Sequence, residues 1–279
     1  MIVGDMYQKR EAGRKKVLAA IAAHGGTTLL STGITGDDAR MALAAVEAGA
    51  RLIEPNHPAL ALARGYKGVT NMHAAENLRH EIKMEQMAEV VNGIRNVVGP
   101  DIYITVGVPG TFAEVVPTYL SDSDMAMLAR AGADGLHTHK STIEDLKAVI
   151  ELGHKNGLLI DAYIASPRDR HLFGIPADKP SDVAEIAKQM QDVGTDFIGL
   201  MTGMSYEGVA AGEIAPEVRK RLDALLGAVT VPTIAEGGIN TDNFKAFIGT
   251  GVNIIVVGTA IDDLAKAGVR QAVTTLLNQ

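Results

Sequence analysis

Glu236 closes the apolar run Pro232-Thr-Ile-Ala and is followed at once by Gly237, Gly238, Ile239 and Asn240. A carboxylate at the end of an apolar strand is partly desolvated, which raises its pKa into the range where it can both take and give a proton. That makes Glu236 the first candidate for an acid/base, although a buried carboxylate paired with a neighbouring strand reads the same way. Further on, Val256-Val is followed by Gly258, Thr259 and Ala260. Glycines let backbone N–H groups approach a ligand closely, and the amides at a helix start favour a dianion. Gly237, Gly238, Gly258 and Thr259 are therefore the expected phosphate cradle; tight turns alone would also use such glycines.

A second concentration of chemistry is His137-Thr-His139-Lys140. Strand alternation puts the two histidines on one face and Lys140 on the other, unless the strand has ended. His139 is a candidate acid/base, and His137 a candidate substrate-binding residue. Lys140 serves either as an acid or Schiff-base lysine or as a solvated residue at a helix start. His137 and His139 with Asp161, or with Glu54, also form a weak candidate for a divalent-metal site, though no cofactor is required. Asp161 interrupts the run Leu158-Leu-Ile with a carboxylate that either contacts substrate or satisfies backbone donors, and Glu54 and Asn56 divide in the same way. Arg168, Arg170 and His171 make a basic cluster suited to a second anionic group or simply to solvent.

These residues stand at the ends of apolar runs that alternate with helix-period segments. The expected strands are 27–31, 51–54, 102–106, 135–139, 158–163, 197–201, 232–236 and 253–257, eight in all. Between them, sets such as Ile143, Leu146, Val149 and Ile150, or Val183, Ile186, Met190 and Val193, recur at helical spacing. Ser141 with Glu144 reads as a capping box. Eight βα units in one domain spanning 1–279 predict a (β/α)₈ TIM barrel, with residues 1–25 as an added N-terminal helix whose face is Val17, Leu18 and Ile21. An open doubly wound sheet is the alternative, but Ser31-Thr-Gly-Ile-Thr-Gly is not its dinucleotide loop.

The stretch Pro232-Thr-Ile-Ala-Glu-Gly-Gly-Ile-Asn-Thr through Val257-Gly-Thr-Ala-Ile resembles N-acetylmannosamine-6-phosphate 2-epimerases of the ribulose-phosphate-binding barrel group. The likeness extends more loosely to Ala131-Gly-Ala-Asp-Gly-Leu-His-Thr-His and to Asp196-Phe-Ile-Gly with Thr202 and Gly203. It implies catalysis by Glu236, phosphate binding at the four cradle positions and substrate contact near Thr202. The chain departs from that family at Val106-Gly-Val-Pro-Gly, where the family has a Lys-Arg pair, and at His139, where it has an aspartate. The expected function is an isomerase or epimerase of a phosphorylated sugar or sugar derivative. A carbon–carbon lyase of the same fold, or a non-catalytic phosphosugar-binding protein, remains as the alternative.

Composition sets outer limits. The 279 residues carry a formal net charge of -7 and no cysteine, which excludes thiolate nucleophiles, thiolate metal sites and disulfides. The charge gives no whole-chain attraction for nucleic acid or anionic membrane, and no apolar run is long enough to span a bilayer. Residues 1–14 lack the apolar core of a signal peptide, so a cytoplasmic protein is expected. A homo-oligomer is the default expectation for a barrel, with Met41, Leu43 and Val46 facing either the barrel or a partner.

Overall fold

The computed structural model describes residues 3–278 apart from 72–73, 76, 79–80, 113–115, 117, 169–172 and 204–211. The strands are β1 (Thr28–Thr32), β2 (Leu52–Glu54), β3 (Tyr103–Val106), β4 (Gly135–Thr138), β5 (Leu159–Ala165), β6 (Ile175–Pro176), β7 (Phe197–Met201), β8 (Thr233–Glu236) and β9 (Ile254–Val257). Each of the eight expected strands appears, with ends shifted by no more than two residues. All pairings are parallel, and β9 returns to β1 with Leu30 opposite Val256, closing an eight-stranded TIM barrel. The short β6 was not expected; it lies beside the end of β5, with Ile175 opposite Ile164.

Alternation along each strand sends one set of side chains inward. Leu30, Leu52, Tyr103, Leu159, Tyr163, Phe197, Ile234 and Ile254 fill the barrel interior. Room for the large rings comes from glycine: a Cβ at Gly199 would run into the Tyr163 ring, and one at Gly135 into the Tyr103 hydroxyl. Gly199→Ala is therefore expected to lower stability by about 1–3 kcal/mol through overpacking. A thermal melt indistinguishable from wild type would show that the ring moves aside at no cost.

The helices are α1 (Val3–Ala23), α2 (Ile34–Asp37), α3 (Ala39–Glu47), α4 (His57–Ala63), α5 (Met84–Val98), α6 (Asp122–Ala131), α7 (Ile143–Lys155), α8 (Pro180–Asp192), α9 (Pro216–Leu226), α10 (Phe244–Phe247) and α11 (Thr259–Leu277). Those on the wall bury most of the stripes their spacing predicts, Leu146, Val149 and Ile150 on α7 and Val183 and Met190 on α8, with Ile143, Ile186 and Val193 partly buried and Ala187 added to the buried face. The α7 cap is Thr142, one residue after the expected Ser141; its side chain accepts from Asp145 N at 3.1 Å. Helix α3 turns Ala42 and Val46 toward the barrel and leaves Leu43 at its surface.

Helix α1 closes the N-terminal end of the barrel. Val17 and Ala20 are buried with the interior side chains, and Gly13 brings the helix against Leu159. Leu18, expected on this face, is instead 47% exposed, because the buried face runs through Gly13, Val17 and Ala20. Two carboxylates in the turns before β4 and β7 hold the assembly. Asp134 accepts from Lys16 at 2.8 Å, Arg95 at 2.7 Å and Ile104 N at 3.0 Å. Asp196 contacts Arg14 at 2.6 Å and His154 at 2.8 Å and accepts from Ile160 N at 2.9 Å.

Helix α11 departs from the pattern, since it buries no residue, and Leu264, Val269, Val273, Leu276 and Leu277 are all at least half exposed. A helical segment without tertiary contacts is marginal in water. Amides 266–278 are therefore expected to exchange with deuterium orders of magnitude faster than those of β1 or β5, as hydrogen-exchange mass spectrometry would read. Equal protection would mean that another surface covers the helix in solution.

Candidate active site

Inward alternation near the C-terminal ends of β2, β4 and β8 and in the first half of β5 brings Glu54, His137, Glu236 and Asp161 together around one imidazole. His137 Nδ1 lies 2.7 Å from Asp161 Oδ1, and Thr105 donates to the other Asp161 oxygen at 2.8 Å. These contacts fix the ring, and its far nitrogen, Nε2, stands 3.8 Å from Glu54 Oε1 and 3.7 Å from Glu236 Oε2. Tyr163 OH is 3.5 Å from Nδ1. Glu54 is held by Asn56, whose Nδ2 donates to its Oε1 at 3.1 Å and to Thr32 Oγ1 at 2.9 Å. The Asn56 side-chain oxygen Oδ1 meanwhile accepts from Ala59 N at 2.8 Å and caps α4. Asn56 thus positions the glutamate from a helix start.

The electrostatics follow from packing three carboxylates and one imidazole out of water. Burial alone would push the His137 pKa down, but Glu54, Asp161 and Glu236 overcome it and raise it to about 10. Burial pushes Glu54 up to about 8, against the pull of His137 and with the repulsion of Glu236 and Asp161. Glu236 is also raised by burial, with His137 opposing and Asp161 adding to the rise. Burial and mutual repulsion thus favour the protonated forms of Glu54 and Glu236 beside the charged imidazole.

His139 continues the same face of β4. Its ring centroid is 4.6 Å from that of His137, and Phe112 stacks on it at 4.4 Å with 21° between planes. Both histidines, Glu54 and Glu236 line a cavity of about 530 Å³. Gly237, Gly238, Gly258 and Thr259 line the same cavity, so the expected cradle and the expected acid/base share one space. Gly237 and Gly238 adopt φ of 107° and 71°, which only glycine takes without strain. A Cβ on Gly258 would come 2.6 Å from Thr32 Cγ2. Gly258 caps α11 without a side-chain bond, leaving the first amides of that helix without a side-chain acceptor from the cap.

The remaining expected residues are placed differently. Thr202 is buried behind the cradle, where its hydroxyl donates to Gly237 O at 2.5 Å and its amide to Glu236 O at 2.6 Å; it shapes the loop and does not line the cavity. Lys140 Nζ donates to Phe112 O at 3.3 Å and is likewise not on the cavity wall. Arg168 is exposed, 3.5 Å from Asp178. Arg170 and His171 lie outside the described residues. Sequence reasoning missed Phe112 and Phe173, which line the cavity, and Asp262, which also lines it and accepts from Ile34 N at 2.7 Å. The one signal for Asp262 was its place in the first turn after Gly258, where a carboxylate meets free amides.

No family model matches the chain. Against known proteins, it is 31% identical over 163 residues to a thiamine-phosphate synthase of Clostridium novyi (strain NT), covering 58% of this chain and 69% of that protein. The chain belongs to the thiamine-phosphate synthase family. Among solved structures, this chain is similar to a candidate phosphonomutase from Burkholderia cenocepacia J2315, with a TM-score of 0.61, 18% identity and coverage of 90% and 95% of the two chains. It is also similar to a tryptophan synthase alpha-subunit from Pyrococcus furiosus, with a TM-score of 0.60, 18% identity and coverage of 85% and 88%. At that identity the solved structures speak for the barrel alone.

Proposed function

We propose that the chain is an enzyme that moves a proton at carbon in a phosphorylated small molecule, an isomerase or epimerase of a sugar phosphate or its derivative. The observation that carries this reading is the placement of Glu54 and Glu236 together at Nε2 of His137, in a cavity that the glycine cradle also lines. With the phosphate on the amides of Gly237, Gly238, Gly258 and Thr259, the body of the ligand reaches the carboxylates. One takes a proton from carbon and the other returns it, while His137 meets the oxygen on which charge develops. Asp161 and Asn56 hold His137 and Glu54 in place. The resemblance of the 232–261 stretch to a phosphosugar epimerase family points the same way. A Schiff-base lyase reading loses support from Lys140, whose ammonium is turned to the Phe112 carbonyl.

Family membership favours a second reading, a synthase whose product carries a phosphate, thiamine phosphate being the ligand named for the relative. Both are tested by a thermal-shift panel of sugar phosphates and thiamine phosphate, followed by incubation of each stabilising ligand in deuterated buffer. Carbon-bound deuterium in a sugar phosphate supports the first reading. Stabilisation by thiamine phosphate alone, with no exchange in any sugar phosphate, would replace it with the second.

A further inference from the structure

We propose that the floor of the cavity binds a divalent transition-metal ion through His137 Nε2, an imidazole nitrogen of His139 and a carboxylate oxygen of Glu236. The three side chains bring their ligand atoms within 4.8 Å of one another. An ion with bonds of about 2.1 Å keeps its ligands roughly 3 to 4 Å apart, so a small rotation of Glu236 closes the set. His137 is already oriented for it: Nδ1 is tied to Asp161, which Thr105 holds in turn, and Nε2 points to the carboxylates. At 3.7 and 3.8 Å those oxygens are too far for hydrogen bonds, but they are spaced as neighbours around a cation. An imidazole backed by a carboxylate on its other nitrogen is the usual second layer of such a site. Stacking on Phe112 holds His139 in the same way.

Charge gives an independent reason. Glu54, Asp161 and Glu236 place three carboxylates around one imidazole, and Glu54 is 2% exposed with its Oε2 facing no hydrogen-bond partner. A divalent cation would offset the repulsion among these carboxylates, and Glu54 stands next to it, 3.8 Å from the His137 ligand nitrogen. Two imidazoles and a carboxylate suit zinc, manganese, iron or cobalt rather than magnesium or calcium. The set differs from the one the sequence suggested, in that Asp161 orients a ligand and Glu236 is one. With the ion bound, Glu54 alone would move the proton and the ion would meet the developing oxyanion in place of His137, an arrangement that rests on the proton-transfer reading and replaces its two-carboxylate form; the binding of the ion does not rest on it.

The test uses the full chain without an affinity tag, stripped by chelator, dialysed and titrated with zinc or cobalt chloride by calorimetry, with cobalt also followed by its visible absorption. One ion per chain is expected. His139→Phe, which keeps the ring on Phe112, and Glu236→Gln should each weaken binding at least 10-fold, and Asp161→Asn by about 10- to 100-fold; His24→Ala, far from the cavity, should not. Absence of binding to the wild type, or wild-type affinity in both His139→Phe and Glu236→Gln, would overturn the site. If His139→Phe fails to fold, Glu236→Gln decides. The deuterium assay, run with and without the ion, keeps the two readings apart: an ion bound without exchange ends the proton-transfer reading only, and exchange in a protein that binds no ion ends this one.

Discussion

Replacing either Glu54 or Glu236 by glutamine is expected to slow carbon-bound deuterium exchange by about 10²- to 10⁴-fold, the range a positioned proton carrier contributes. The amide keeps the shape of the side chain and, at Glu54, an oxygen to accept from Asn56, so phosphate binding at the cradle should be unchanged. Stability separates this result from simple damage. Three buried carboxylates repel one another, and burial has already raised Glu54 and Glu236. Neutralising one relieves that repulsion, so neither variant should melt lower than wild type by more than a degree or two. Wild-type exchange in both variants would remove the glutamates from the mechanism. A collapse of stability in both would recast the cluster as structural.

Arg95→Met is expected to cost about 3–5 kcal/mol, the cost of leaving three carbonyls without their donor and removing one of the two cations on Asp134. Arg95 donates to Gly132 O through Nε at 3.1 Å and Nη2 at 2.9 Å, to Gly99 O at 2.6 Å and Ile102 O at 2.7 Å, and to Asp134 at 2.7 Å. It thereby ties the end of α5 to the turns before β3 and β4. Methionine fills the space but supplies no donor, stranding three carbonyls and half the support of Asp134. For a chain of this size the melting temperature should fall by roughly 10 °C. Arg95→Lys, with one compact ammonium in place of the planar fork, should recover only a minor part. A change below about 1 kcal/mol in urea unfolding would show that water takes over these groups.

The barrel was legible because its signal is repetitive: eight apolar runs, each ending in a turn and followed by helical spacing. Glu236 and its glycines were legible because one short segment carries both. The cluster as an assembly was not. Period 2 puts Glu54, His137, Asp161 and Glu236 inward, but it does not state their relative height, which depends on the stagger of neighbouring strands. Only with Asp161 opposite His137 in the β4–β5 ladder does a weak list of polar residues become one site. Lys140 shows the converse. Its position after the strand end leaves its direction open, and a backbone carbonyl in a loop decided it. Phe112 was hidden for the same reason, since it reaches the cavity by a bridge to His139 that no local pattern announces.

The seal that α1 places on the N-terminal end of the barrel makes the interior a blind vessel. Val17 and Ala20 sit among the inward side chains there, and the cavity lies at the opposite, C-terminal ends of the strands. A ligand held by the glycines therefore finds no passage through the N-terminal end, and entry and exit are left to the C-terminal face where the cavity lies.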